Sequence, residues 1–197
     1  VAKNNGIFTQ QNVIVEGVSD MYAFRAMELL LTKKSETHFL PGVGTKGDKI
    51  NGLISLCTGY GLNWCLVMDN DRSDIEEGTG LTYPERKYQL LKDNFFAGDE
   101  DMVSKRVKIL SQGTLEDLFT VGDIEHIASV TGYKLAPKPT KKNNEAYIGI
   151  PRKGLFWRMF LSSVTSKKIK LDGLSKESKD NFTELLSFIS DCFKQPE

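Results

Sequence analysis

The sequence has few cysteines, no long apolar run and no excess of charge of either sign. Its three cysteines, Cys57, Cys65 and Cys192, lie far apart and include no Cys-x-x-Cys pair. This usage argues against a disulfide framework or a zinc knuckle and is typical of the reducing cytosol. No stretch approaches the roughly 20 apolar residues that a membrane span needs, and the first residues lack the apolar core of a signal peptide. We therefore expect a cytoplasmic protein.

The charge balance excludes a protein that coats nucleic acid through overall positive charge. The 197 residues carry 26 Lys and Arg against 26 Asp and Glu, so the formal net charge is zero. Because 40% of the residues are hydrophobic, the chain can bury the core of a domain of moderate size. It begins with Val rather than Met, and we expect a piece of a longer protein.

Short apolar runs alternate with stretches of helical spacing. The runs predict strands at residues 12–16, 37–41, 64–68 and 106–110, and the spacing predicts helices at 19–34, 48–58 and 83–96. Strands that are apolar throughout are typical of a parallel sheet covered on both faces. The sequence therefore predicts an α/β fold with four parallel strands flanked by helices. The acidic stretch 99–101 predicts a solvated turn.

The chain changes character in its last third. Residues 134–145 are rich in Lys and Pro and predict a flexible connection. Two helices are expected after it, at residues 153–165 and 175–193. We predict a catalytic domain at 1–133, a connection at 134–152, and a helical extension at 153–197 that packs on or beside that domain.

Acidic residues follow three of the predicted strands. Glu16 ends the first apolar run, Asp69 and Asp71 follow the third, and Glu116 comes after the fourth. Ligands of parallel α/β sheets bind beyond the carboxyl ends of the strands. Carboxylates are the ligands that Mg²⁺ prefers, and a cation relieves the repulsion between neighbouring acids. The sequence therefore predicts a divalent-metal site at this edge of the sheet.

Each acid also has a structural interpretation. Asp-x-Asp is common in surface turns, and Asp20, four residues after Glu16, is suited to capping a helix. Glu16 is harder to explain structurally, since an unpaired charge at the end of an apolar strand is costly. Glu16 and Asp69 are therefore the firmest candidates.

In their order and spacing these motifs resemble a TOPRIM domain, the metal-dependent fold of topoisomerases, bacterial primases and several nucleases. More closely, the chain resembles the C-terminal nuclease part of the OLD (overcoming lysogenization defect) family of ATP-dependent endonucleases. The matching segments are VEGVSD at 15–20, LPGVGTKGDKI at 40–50, DND at 69–71 and GTLEDLF at 113–119. The likeness is good over residues 10–120 and looser beyond.

The resemblance implies an endonuclease or nickase that uses two Mg²⁺ or Mn²⁺ ions. Glu16 and Asp20 would serve one ion, while Asp69 and Asp71 would serve the other or bridge both. Glu116 would complete the set, with Thr114 at a small hydroxyl position before it. The family also uses a downstream lysine near the scissile phosphate, for which Lys153 is the best match; Arg152, Lys167 and Lys168 compete with it.

The resemblance also implies partners. DNA is the expected substrate, RNA stays open, and a role in defence against phage would follow. The chain contains no Walker A motif, so we expect an ATPase module on the same longer chain or on a partner. Basic residues that would bind the phosphate backbone are Lys141, Lys142, Lys167 and Lys168. The sequence leaves homo-oligomerisation open.

Two other interpretations remain. Gly42, Gly44 and Gly47 match GxGxxG, with Asp69 downstream, which is the fingerprint of a Rossmann-type NAD-binding enzyme or nucleotide-binding module. Against it, Pro41 stands where the strand should run into the first glycine, and Glu16 and Glu116 would have no role. A non-catalytic, regulatory TOPRIM-like domain is the third interpretation.

Overall fold

The computed structural model of the chain describes residues 10–42, 48–70, 80–111, 113–139 and 143–194. Its strands and α-helices, in chain order, are β1 Gln11–Val15, α1 Val18–Thr32, β2 His38–Pro41, α2 Asp48–Gly59, β3 Asn63–Met68, α3 Tyr83–Phe95, α4 Glu100–Ser104, β4 Val107–Ile109, α5 Val121–Thr131, α6 Asn144–Ile148, α7 Lys153–Thr165 and α8 Lys176–Lys194. Short 3-10 helices span Leu115–Leu118, Ile150–Arg152 and Leu171–Gly173. No helix in the described residues is long and apolar enough to cross a membrane.

The described strands form one four-stranded parallel sheet in the order β2-β1-β3-β4. This confirms the predicted α/β fold, with its parallel sheet, flanking helices and C-terminal helix. The chain runs from β1 outward to β2, then returns to place β3 on the other side of β1. The direction of winding therefore reverses between β1 and β3, which is where open α/β sheets bind their ligands.

The chain divides into two compact units, each assembled from separate stretches. The sheet unit comprises Val1–Gly17, Thr37–Ser111 and Ile189–Glu197, and the helical unit comprises Val18–Glu36 and Gln112–Phe188. The predicted domain boundaries after residues 133 and 152 stay predictions, because contacts within one chain do not test which parts fold alone.

Both faces of the sheet unit's central strand are buried. On one face, alternate β3 residues Trp64, Leu66 and Met68 pack into a core with side chains from α2, α3 and α4. On the other face, Cys65 contacts Cys192 near the end of α8. All three cysteines are free and buried, as expected of small apolar side chains. Burial on two faces explains why the strand sequence is apolar throughout.

The helical unit is held together by aromatic rings around Phe119. Its ring centroid lies 4.7 Å from that of Trp157 on α7, 4.8 Å from Phe182 on α8 and 5.9 Å from Phe160 on α7. All four side chains are fully buried. Aromatic pairs at such separations add roughly 0.5–1.5 kcal/mol each beyond the area that they bury. Trp157 and Phe160 thus belong to the core of the helical unit.

The acidic stretch 99–101 begins a helix and is not the solvated turn that its charge predicts. The Asp99 carboxylate accepts a hydrogen bond of 3.0 Å from the backbone N–H of Met102, and so caps α4. Glu100 and Asp101 in the first turn are favoured by the helix dipole, and Val103 is fully buried. The cap from Asp99 and the burial of Val103 stabilise α4 although most of its side chains are polar and exposed.

The second half of the predicted connection is packed against the helical unit. The side-chain amide of Asn144 donates to the carbonyl oxygens of Glu116 and Phe119, at 3.0 and 2.7 Å. The hydroxyl of Tyr133 donates to the carbonyl of Ile148 at 2.9 Å. The Lys- and Pro-rich composition predicts a flexible connection at residues 134–145, and these buried hydrogen bonds lie near the end of that stretch and just beyond it.

Candidate metal centre

Two of the predicted acids follow adjacent strands at the point where the winding of the sheet reverses. Glu16 comes directly after β1 and Asp69 directly after β3. The two strands are paired in parallel, with Ile14 opposite Leu66. Both acids therefore leave the same edge of the sheet, as the sequence predicted. Asp69 is half-buried, and Asp71 lies outside the described residues.

Glu16 has a cationic neighbour that sequence reasoning missed. Nζ of Lys87 on α3 lies 4.0 Å from Oε1 of Glu16, and the Lys87 side chain is only 9% exposed. The same ammonium lies 5.7 Å from the ring centroid of Tyr83. A signal was present in the sequence, because Pro84, Lys87 and Leu91 share the buried stripe of α3. A lysine on the buried stripe of a helix predicts an anionic partner, because burying an unpaired charge is costly.

Glu116 is a fully buried carboxylate in the helical unit. It lies in the 3-10 helix Leu115–Leu118, which begins with a capping box between Thr114 and Asp117. The indole N–H of Trp157 donates to Oε1 of Glu116 at 2.9 Å. Oε2 is also buried and has no hydrogen-bond partner among the described residues. The carboxylate is thus fixed through one oxygen and open at the other.

Lys153 lies beside Glu116, at the start of α7. Its Nζ is 2.6 Å from Oε1 of Glu145 on α6 and 3.6 Å from Oε1 of Glu116. Burial alone would lower the pKa of Lys153. The Glu116 charge, the hydrogen bond to Glu145 and the charge of Asp20 outweigh burial and raise the pKa above its usual range. Lys153 therefore remains cationic at every physiological pH. Glu145 is a second residue that sequence reasoning missed.

Asp20 lies in the first turn of α1 and is 5% exposed. Its Oδ1 accepts a hydrogen bond of 3.2 Å from the hydroxyl of Ser19. The helix dipole favours an acid at this position, but Asp20 is the third residue of α1 and does not stand at its N-cap. Its charge also acts on Lys153. Asp20, Glu116 and Lys153 are thus brought into one electrostatic group.

Thr114 has a structural role at the start of its 3-10 helix. Its backbone N–H donates to Oδ2 of Asp117 at 3.2 Å, and its hydroxyl donates to the same oxygen at 3.4 Å. The side chain is 6% exposed. Thr114 is thus the N-cap of the 3-10 helix that contains Glu116. Its role as a metal ligand stays a prediction.

The other basic candidates are placed differently from Lys153. Arg152 is exposed, with its guanidinium carbon 5.7 Å from the ring centroid of Tyr133. Lys167 and Lys168 follow α7 on the surface, and Lys141 and Lys142 lie outside the described residues. Among the competing candidates for the downstream lysine, Lys153 is the one described with an ion pair to a predicted metal ligand, Glu116.

The donor set suits a hard divalent cation. Among the described residues, no three His, Cys, Asp or Glu side chains are grouped closely enough to hold a metal ion. The acids that are present offer carboxylate oxygens, the preferred ligands of Mg²⁺ and Mn²⁺. The buried Oε2 of Glu116, which lacks a hydrogen-bond partner, is the oxygen that fits such a cation best.

Comparison with solved structures shows a fold shared with one class of protein domain. The chain matches the C-terminal region of the Burkholderia pseudomallei OLD protein with a TM-score of 0.62 and 15% sequence identity, covering 92% of this chain and 99% of that one. It matches the C-terminal region of the Xanthomonas campestris pv. campestris OLD protein with a TM-score of 0.57 and 14% identity, covering 94% and 97%. No family model and no curated protein sequence matches the chain.

The dinucleotide interpretation lacks support from the topology. Gly42 follows β2, which is an edge strand of the sheet, whereas ligands of open α/β sheets bind where the winding reverses. A Cβ on Gly42 would lie 2.7 Å from Cγ1 of Ile50, so close helix packing accounts for this glycine. Gly44 and Gly47 lie outside the described residues.

Proposed function

We propose that the chain is a Mg²⁺- or Mn²⁺-dependent nuclease that hydrolyses phosphodiester bonds in DNA as an endonuclease or nickase. The observation that carries the proposal is the exit of Glu16 and Asp69 from adjacent parallel strands where the winding reverses. The fold shared with the C-terminal regions of OLD proteins supports it. RNA stays open as a substrate.

The proposed ligands form two groups of carboxylates. Glu16, Asp69 and Asp71 would hold a cation at the sheet edge, a grouping that departs from the pairing of Glu16 with Asp20 that the sequence resemblance implies. Asp20 and Glu116 would serve in the helical unit, with Thr114 beside them. When bound, such a cation would lower the pKa of an attacking water or stabilise the leaving oxygen of a phosphodiester. The protein's own task is to fix these carboxylates and to compensate their charge.

Lys153 and Lys87 supply that compensation. The pKa of Lys153 is raised, so it presents a permanent positive charge beside Glu116. A fixed cation stabilises the negative charge that builds on a phosphate during hydrolysis. Lys87 lies beside Glu16 in the same way. We propose Lys153 as the catalytic lysine, in keeping with the resemblance seen in the sequence.

The proposal extends to partners. Lys141, Lys142, Lys167 and Lys168 would bind the phosphate backbone, and salt would weaken that binding. An ATPase module would lie elsewhere on a longer chain or on a partner, as the OLD resemblance implies. A role in defence against phage follows from the same resemblance.

Nicking of supercoiled plasmid in Mn²⁺ tests the proposal. Glu16→Gln and Asp69→Asn each remove a ligand charge without changing side-chain volume, and we expect both to abolish nicking. Asp93→Asn is the matched control, because Asp93 is exposed on α3 and its carboxylate accepts hydrogen bonds from the side-chain amide of Gln89. Its nicking rate should equal that of the unchanged protein.

Three results would contradict the proposal. Undiminished nicking in excess EDTA would remove the metal from the mechanism. Absence of nicking in Mn²⁺ under all conditions, combined with retained Mn²⁺ binding, would favour the regulatory TOPRIM-like interpretation. Saturable NADH binding without metal-dependent nicking would restore the dinucleotide interpretation.

A further inference from the structure

The two oxygens of Glu116 have unequal surroundings. Oε1 receives the indole N–H of Trp157 at 2.9 Å and lies 3.6 Å from Nζ of Lys153. Oε2 is buried and has no hydrogen-bond partner among the described residues. Leaving a buried polar atom unpaired costs about 1–3 kcal/mol, and more where the group is charged. A cation bound to Oε2 would offset this free-energy cost.

Trp157 is held too firmly to follow the carboxylate. Its ring is fully buried and packs against Phe119, with ring centroids 4.7 Å apart, and against Phe156, with centroids 4.8 Å apart. The indole N–H therefore points in one direction, and the hydrogen bond selects one orientation of the Glu116 side chain. Lys153 approaches the same oxygen, so both partners leave Oε2 open.

We propose that Trp157 is a positioning residue for metal binding, which holds Oε1 of Glu116 so that Oε2 is presented to the divalent cation. The inference rests on the proposed function, since it needs Glu116 to be a ligand. Ligating carboxylates are commonly fixed by a hydrogen bond from a neighbouring group, and loss of that bond costs roughly 10–100-fold in metal affinity. Trp157 supplies that bond from the helical core.

Mn²⁺ titration by calorimetry on the full chain tests this role. Trp157→Phe keeps an aromatic ring in the core and removes the donor, so we expect Mn²⁺ binding about 10–100-fold weaker. Trp64→Phe is the matched control, because Trp64 is 5% exposed and its indole N–H donates to the hydroxyl of Thr58 at 3.1 Å. Its Mn²⁺ affinity should be unchanged, even if its melting temperature falls.

Fluorescence gives a second measurement that does not depend on the folding of Trp157→Phe. The chain has two tryptophans, so Trp64→Phe leaves Trp157 as the single indole reporter. We expect Mn²⁺ and Mg²⁺ to change its emission saturably. We expect no such change when Glu116→Gln is added, because the charged ligand is gone.

The outcomes separate the inference from the proposed function. Equal Mn²⁺ affinity in the unchanged protein and a folded Trp157→Phe variant would overturn the positioning role while leaving the nuclease proposal intact. The same emission change with and without Glu116→Gln would also overturn it. No Mn²⁺ binding by the unchanged protein would overturn the proposed function itself.

Discussion

Nζ of Lys153 lies 3.6 Å from Oε1 of Glu116, a carboxylate that is fully buried. Lys153 also bonds to Glu145, and its own side chain is 22% exposed. A buried carboxylate is tolerated only when its charge is compensated. The ion pair of Lys153 and Glu116 therefore stabilises the helical unit and also fixes two residues of the proposed catalytic site.

Lys153→Met is expected to destabilise the chain strongly in the absence of metal. Removing one partner of a buried ion pair costs about 3–5 kcal/mol because the other charge remains buried. Lys138→Met is the matched control, since Lys138 and Glu125 form an exposed pair at 3.1 Å worth roughly 0–1 kcal/mol. Urea unfolding measures both. Equal losses in the two variants would contradict the role assigned to Lys153.

Asp123 is expected to make stability fall in acid. Burial would raise the pKa of Asp123, but hydrogen bonds from Ser175, Ser178 and Thr120 outweigh burial and hold it below its ordinary value. The unfolded chain therefore takes up the proton first, near the ordinary pKa of about 3.9. The stability that Asp123 contributes is present above that pH and is lost as the pH falls through the lower folded pKa.

Asp123→Asn should reduce the free energy of unfolding at pH 7 by roughly 1.5–3 kcal/mol, because hydrogen bonds to a charged group are replaced. The deficit should begin to shrink below about pH 4, where the unfolded chain of the unchanged protein takes up a proton at Asp123 while the folded carboxylate is still ionised. Unfolding midpoints from pH 7 to pH 3 measure this. A deficit that stays constant over that range would show that the charge of Asp123 is not responsible.

Gly42→Ala should destabilise the sheet unit. The added methyl group would lie 2.7 Å from Cγ1 of Ile50 and 3.3 Å from the carbonyl oxygen of Val15, and such overpacking costs roughly 1–3 kcal/mol. Gly52→Ala on α2 is the control, because nothing lies within 4 Å of its Cβ position. That change should stabilise the chain by roughly 0.5–1 kcal/mol through helix propensity. Thermal unfolding of the two variants should shift in opposite directions.

Asn144→Ala should loosen the segment that precedes Lys153. The buried amide of Asn144 donates to the carbonyls of Glu116 and Phe119, so the variant leaves two buried acceptors without this donor. We expect a loss of roughly 1–3 kcal/mol. Hydrogen exchange should also become faster in residues 143–152. Unchanged exchange there would show that the hydrogen bonds of Asn144 do not hold this segment in place.

The sequence by itself determined the four strands, the helices α1, α2, α3, α7 and α8, and the positions of the acids, but not the helices α4, α5 and α6. β1 and β3 are apolar runs because both faces of the sheet are buried, and their limits were predicted to within about one residue. The helix α7 begins and ends where its spacing predicts. The exit of Glu16 and Asp69 from one edge also followed from the sequence, since parallel strands share their carboxyl edge.

Only the tertiary structure decided which charges meet. Lys87 and Glu16 are far apart in sequence, as are Glu116 and its partners Lys153 and Trp157, and no local pattern sets such distances. Composition predicts a flexible connection at residues 134–145, and it gives no sign of the buried hydrogen bonds that Asn144 makes near the end of that stretch. Local sequence patterns indicate which residues are buried and which backbone conformation they prefer. The partners of a buried carboxylate come from helices distant in sequence, so they are set only when those helices pack.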